Sequence, residues 1–113
     1  YSSLFDCISA STLDVSEKIS PSTFYLYQNH PNPFNPITQI NYQLSKNSHI
    51  KIEVYDMMGK LVKTLVNEFQ PPGYRSIKWN GQNFENQKVS SGVYFYSLQS
   101  ESFSATKKMI LLD

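Results

Sequence analysis

Polar and apolar residues alternate along two stretches of the chain. Ile40, Tyr42 and Leu44 interleave with Asn41 and Gln43, and Ile50, Ile52 and Val54 interleave with His49, Lys51, Glu53 and Tyr55. Successive side chains of an extended strand point to opposite sides, so this period predicts half-buried strands, apolar side inward. Asp56-Met57-Met58-Gly59 then supplies a turn, with Gly59 where positive φ is needed, and Lys60–Val66 returns as the partner strand. Leu61, Val62, Leu65 and Val66 also suit one helical face, but the short run and its valines favour a strand.

Pro71-Pro72-Gly73 cannot continue a sheet ladder and marks a crossing between strands. Tyr74–Trp79 follows, with Ile77 and Trp79 on one face, and Asn80-Gly81 breaks it. A polar loop runs through Asn83, Glu85 and Asn86 to Ser91. Gly92–Gln99 is apolar on both faces, as in a central or covered strand. Glu101-Ser102 turns the chain into the last strand, Phe103–Leu112. No helical amphipathicity is visible. About seven short strands with Gly, Pro and Asn punctuation predict an all-β, antiparallel Greek-key sandwich with Trp79 in its core.

Residues 1–22 differ. They are rich in Ser and Thr, weakly periodic, and carry net −2 (Asp6, Asp14 and Glu17 against Lys18), whereas residues 23–113 carry +3 (nine Lys and Arg against six Asp and Glu). They read as a linker or the tail of a preceding domain, with a packed extra strand as the competing reading. Residues 23–113 are the folded domain, and 113 residues suffice for one. A start at Tyr1, with no Met and no basic leader, is expected of a piece of a longer protein whose export signal lies upstream.

Composition narrows the function classes. Aromatic residues at 14% exclude a charged, aromatic-poor disordered chain, and a net charge of +1 offers no basic stripe for nucleic acid. No apolar run approaches the ~18 residues of a membrane-spanning helix. The single cysteine, Cys7, excludes an internal disulfide, and with His30 and His49 it makes no zinc spacing. No nucleophile with base and orienter, no carboxylate pair and no phosphate-binding glycine loop is visible, so neither catalysis nor a cofactor is expected. Calcium at the Asn80–Asn86 loop would have too few charged ligands.

The run Gln28-Asn29-His30-Pro31-Asn32-Pro33-Phe34-Asn35-Pro36 is unusual. Its prolines, Pro31, Pro33 and Pro36, are expected to hold the chain extended while Asn side chains bond unpaired backbone groups. Phe34 is expected to plug the sandwich; a proline-rich ligand for a partner groove is the alternative.

Tyr27–Pro36, Ile40–Leu44, Val54–Lys60, Pro72-Gly73-Tyr74, Trp79-Asn80-Gly81, Ser91–Phe95 and Lys107–Leu111, in this order, resemble the C-terminal sorting domain of type IX secretion substrates. The pattern is also similar to the Ig-like domain of the flagellar hook-capping protein. The resemblance implies an Ig-like sandwich at the C-terminus of a larger exported protein, secreted or displayed at the cell surface via periplasm and outer membrane. The implied partners are outer-membrane secretion machinery and a sortase-like cysteine peptidase, with the cargo upstream. Gly92, Val93 and Tyr94 match the family's glycine-entered strand, and Lys107, Lys108, Met109, Ile110 and Leu111 its basic-then-apolar final strand. Gly59, Gly73, Trp79 and Gly81 take structural places. Departures are Asn80 and Asn83 for Asp, Asn86 for a turn Gly, His30 for Tyr, and Asp113 for a basic end.

A non-catalytic sorting and anchoring domain is the expectation, with Lys107-Lys108 as a charged landmark on a last strand open to edge pairing. The rivals are a hook-cap-like assembly domain and a structural or carbohydrate-binding Ig-like module. The last would use Tyr25, Tyr27, Tyr55 and Tyr96 as sugar-stacking faces.

Overall fold

The computed structural model describes residues 21–112. Cys7, Asp113 and all of the expected linker except Pro21 and Ser22 lie outside them. Within them run seven strands: β1 (Tyr25–Leu26), β2 (Thr38–Leu44), β3 (Ser48–Tyr55), β4 (Leu61–Gln70), β5 (Gly73–Trp79), β6 (Gly92–Gln99) and β7 (Ser104–Leu111). They form two antiparallel sheets, ordered β1-β2-β5 and β4-β3-β6-β7. This is the all-β antiparallel sandwich that the alternation predicts, and it agrees with the Ig-like fold that the resemblance implies.

The inward positions are those of the apolar period. Ile40, Tyr42 and Leu44 of β2 face Ile50, Ile52 and Val54 of β3 and Tyr94, Tyr96 and Leu98 of β6, all buried. Each fully buried aliphatic side chain contributes roughly 1.5–3 kcal/mol over an exposed one. Strand β4 resolves the helix-or-strand ambiguity. Its register against β3 shifts between Ile52 and Glu53 and again between Val54 and Tyr55. Leu65 and Val62 are therefore extra residues, each resetting the two-residue period, and a strand so bulged reads like a helical face. Val62 and Val66, four residues apart, both reach the core.

The β3–β4 turn is held by Asp56, whose Oδ1 accepts from the backbone N–H of Met58 and Lys60 (both 2.9 Å). At the same end of the sandwich, Trp79 is 1% exposed and donates its indole N–H to the Gln82 carbonyl (2.9 Å). Its ring lies against Phe34 (5.7 Å between centroids) and edge-on to Tyr94 (5.5 Å).

Tyr96 lies at the sandwich centre with no exposed surface, its hydroxyl donating to the Tyr27 carbonyl (2.7 Å). Its expected role as an exposed sugar platform is corrected. The strand is apolar on both sides, so the sequence pattern did not show which face turns inward. Burial pushes the Tyr96 phenol up to about 12, and burial likewise raises that of Tyr42.

Two outcomes are expected. Trp79→Ala should cost on the order of 3–5 kcal/mol in urea unfolding followed by circular dichroism, because the cavity has no small side chain to collapse into it. Alkali should also unfold the domain. An unfolded tyrosine releases its proton near 10, the folded Tyr96 only near 12. The stability from this difference is complete below about pH 10 and is lost as the pH rises to about 12. Urea midpoints across that window should fall more steeply for the original than for Tyr96→Phe.

Candidate functional site

Strand β7 is an edge strand, so alternate residues turn their backbone N–H and C=O away from β6. The segment from Gln28 to Phe34 occupies that edge. Ile110 donates its N–H to Asn32 Oδ1 (3.0 Å) and accepts at its carbonyl from the Phe34 N–H (3.0 Å). Leu112 donates to the Phe34 carbonyl (2.8 Å), and Gln28 Nε2 donates to the Lys108 carbonyl (2.7 Å). The last strand is therefore not open to edge pairing over Lys108–Leu112, which corrects that expectation: it already has an intramolecular partner.

The extended course expected of the proline-asparagine segment is also corrected. The chain bends from Pro31 to Pro36, with cis peptide bonds preceding Pro31, Pro33 and Pro36. Asn29, buried, donates to the Pro31 carbonyl (3.1 Å) and to Thr38 Oγ1 (2.8 Å), and the Thr38 hydroxyl donates to the same carbonyl (2.9 Å). These short cross-links fold the segment back on itself and deliver Phe34, 1% exposed, to Trp79.

Alternation divides the expected recognition residues between two faces. Tyr94, Met109 and Leu111 are buried in the core, and Lys107 lies on the same inward side of β7, half-buried. Val93, Lys108 and Ile110 lie on the outer face, and Gly92 opens β6. Lys107 and Lys108 thus point to opposite sides of the sheet and do not make one charged landmark.

The outer face has a definite composition. Val93 pairs with Ile110; Leu61, Tyr55, Phe95 and Lys108 form the next row; Thr64, Glu53, Ser97 and Thr106 the one after. Met57 and Met58, 69% and 90% exposed, stand at the turn beside Val93. Glu53 is nearly buried among these side chains, accepting from the Tyr55 hydroxyl at Oε1 (2.6 Å) and from Thr64 Oγ1 at Oε2 (3.5 Å). That hydrogen bond, with burial second, raises the Tyr55 phenol above its ordinary value. The Ser97 hydroxyl beneath is buried without a partner among the described residues. Sequence reasoning missed Phe95, Glu53 and the two methionines. The available signal was the apolar character of both sides of β6, which leaves Val93 and Phe95 outside a core that Tyr94, Tyr96 and Leu98 already fill.

Residues 28–112 match the model of the secretion system C-terminal sorting domain. The chain belongs to that family. Three solved structures share the fold. PorZ, a surface component of the type-IX secretion system of Porphyromonas gingivalis, is 19% identical over 80% of this chain and 11% of its own, with TM-score 0.55. Latent, dimeric PorU of the same organism is 21% identical over 91% of this chain and 10% of its own, with TM-score 0.62. FlgD of P. aeruginosa is 21% identical over 66% of this chain and 57% of its own, with TM-score 0.53. At these identities the likeness is one of fold, and the chain spans about a tenth of the two Porphyromonas proteins. No curated protein shows significant similarity to it.

In this sorting domain the loop after Trp79 packs against the last strand and the segment that seals it. Gly81 has φ +74°, and a Cβ there would sit 3.3 Å from the Pro36 carbonyl and against Leu111, so glycine alone lets the loop approach the sealing segment. Asn86 takes φ 61° in the loop's second turn, the residue type other than glycine that tolerates it best. Asn83 Oδ1 accepts from the N–H of Glu85 (2.9 Å) and Gln87 (3.0 Å), which holds the loop's turn. Gly59 sits in the β3–β4 turn and Gly73 opens β5. No group of three or more His, Cys, Asp or Glu comes together among the described residues.

Asn32→Ala should remove the acceptor of the Ile110 amide alone. Exchange of the Ile110 N–H should accelerate by up to about tenfold, the equivalent of one net hydrogen bond, while the Met109 amide inside the sheet keeps its rate. Amide-resolved hydrogen exchange by NMR reads both.

Proposed function

We propose that the chain is the non-catalytic C-terminal sorting and anchoring domain of a larger exported protein. The family match over residues 28–112 carries this reading. On this reading, outer-membrane secretion machinery recognises the folded domain, and a sortase-like cysteine peptidase separates it from cargo joined through residues 1–22. The product is secreted or held at the cell surface after passage through periplasm and outer membrane.

Recognition through the outer face of β6 and β7 is supported by what that face offers. Val93, Phe95 and Ile110 are half-buried apolar contacts flanked by the exposed Lys108, and flexible Met57 and Met58 extend the patch. Tyr94, Met109 and Leu111 serve recognition indirectly, by holding the strands that display these side chains. A non-catalytic role is supported by the family match, whose model describes a sorting domain.

Residues 1–113 fused to an exported reporter should carry it to the surface of a bacterium with type IX secretion. The double variant Lys108→Glu/Ile110→Ser, folded by circular dichroism, should strand the reporter in the periplasm, while Lys107→Ala is exported normally. Export of the folded double variant at the original level would remove the outer face as the surface read. Failure of the intact fusion to leave the periplasm would remove the sorting reading itself.

A further inference from the structure

The opposite face of the molecule, the outside of the β1-β2-β5 sheet, carries a different chemistry. Across it run three rows: Tyr25, Gln43 and Tyr74; then Tyr27, Asn41 and Ser76; then His30, Gln39 and Lys78. Not one of these is aliphatic and not one is acidic. Tyr25, Tyr27 and Tyr74 are 47%, 40% and 68% exposed. An open groove of about 620 Å³ lies along Tyr27, Asn41, Tyr74, Arg75 and Ser76.

The polar groups are held in place before any ligand arrives. The Tyr27 hydroxyl donates to Gln43 Oε1 (2.6 Å), Gln43 Nε2 donates to the Thr23 carbonyl (3.0 Å), and Gln39 Nε2 donates to Asn41 Oδ1 (2.9 Å). The Tyr25 and Tyr27 rings brace each other edge-on at 4.7 Å. Fixed amides between aromatic rings suit a ligand with apolar C–H faces and hydroxyls around its rim. Tyr74 stands two strand spacings from the Tyr25–Tyr27 pair, about 10 Å. Linked sugar rings bridge that distance and a single sugar does not.

Charge selects among saccharides. Lys78 closes one end of the face. Arg75 lies along its margin, with Nε and Nη2 donating to the Pro71 carbonyl (3.3 and 3.2 Å) and Nη1 outside those bonds. The outward rows carry no carboxylate, and Glu68 lines the adjoining cleft that Tyr74 and Arg75 share. With Lys78 and Arg75 the face keeps a net positive charge that complements an acidic ligand and disfavours a basic one. A single-stranded nucleic acid fits less well, since it presents a phosphate at every unit and wants a continuous basic track. We propose that this face binds an acidic oligosaccharide, stacked on Tyr27 and Tyr74, with its acid group towards Arg75 or Lys78. This does not depend on the sorting reading.

The test is titration of the folded chain with defined oligomers of mannuronate, guluronate and galacturonate in near-physiological salt, beside neutral glucan oligomers and oligothymidylate. At least one uronate oligomer should bind, more tightly than the glucans. Tyr74→Ala should weaken it roughly tenfold, the loss of one well-stacked ring, while Tyr74→Phe keeps most of the affinity. Tyr74 is exposed, so its variants should keep the original urea midpoint, and Lys108→Ala, on the other sheet, should bind as the original does. Binding of no uronate oligomer, binding indifferent to Tyr74→Ala, equal binding of the glucans, or tighter binding of oligothymidylate would each overturn the proposal.

Discussion

The Phe34 ring packs against Trp79 while the Phe34 backbone bonds both Ile110 and Leu112 of the final strand. One residue of an irregular segment thereby joins the core, the edge of the larger sheet and the loop after β5, whose Gly81 touches the carbonyl of Pro36. An edge strand left bare would present unpaired N–H and C=O groups to every other chain it met. Sealing it from within over Lys108–Leu112 leaves the outer sheet faces, the turns and the remaining sheet edges for contact with other molecules. The opposite edge belongs to β4, whose two bulges disturb the regular row of groups that a foreign strand would need.

With that edge closed, the last strand displays its residues on the faces of the sheet, and alternation decides which side chains reach them. The motif Lys107–Leu111 is continuous in sequence but not in space: Met109 and Leu111 complete the core, and Lys108 and Ile110 stand outside. A strand motif of this kind serves stability and display at once, through alternate residues. The core residues Tyr94, Tyr96 and Trp79 then act as the frame, each with its polar tip bonded to a backbone carbonyl, so that none of these three rings buries an unmet donor.

The two outer faces differ for a simple reason. The larger sheet places a strand that is apolar on both sides next to the last strand, so its exterior carries half-buried apolar side chains beside polar ones, with one nearly buried carboxylate. The smaller sheet is built from strands whose outward positions are Tyr, Asn, Gln, Ser and Lys, so its exterior is wet, aromatic and free of acids. A module with two chemically distinct faces can meet two partners without competition between them.

The strands themselves were legible in the sequence, because a strand's signal is local: Ile40, Tyr42 and Leu44, or Ile50, Ile52 and Val54, sit two residues apart and must share a side. So were the turn at Asp56–Gly59 and the sandwich class, which follow from backbone geometry and from short strands that need a second apolar layer. The β4 bulges blurred that local signal by shifting its phase, and β6, apolar on both sides, carried no phase to read, which hid the burial of Tyr96 and the outward turn of Phe95. What only the tertiary structure decided is long-range: that Asn32 meets Ile110 across 78 residues, that the last strand's edge is taken, and that Tyr27 and Tyr74 share one face. These depend on which strands become neighbours. That choice is set by burying the whole apolar surface at once, so no window of the sequence contains it.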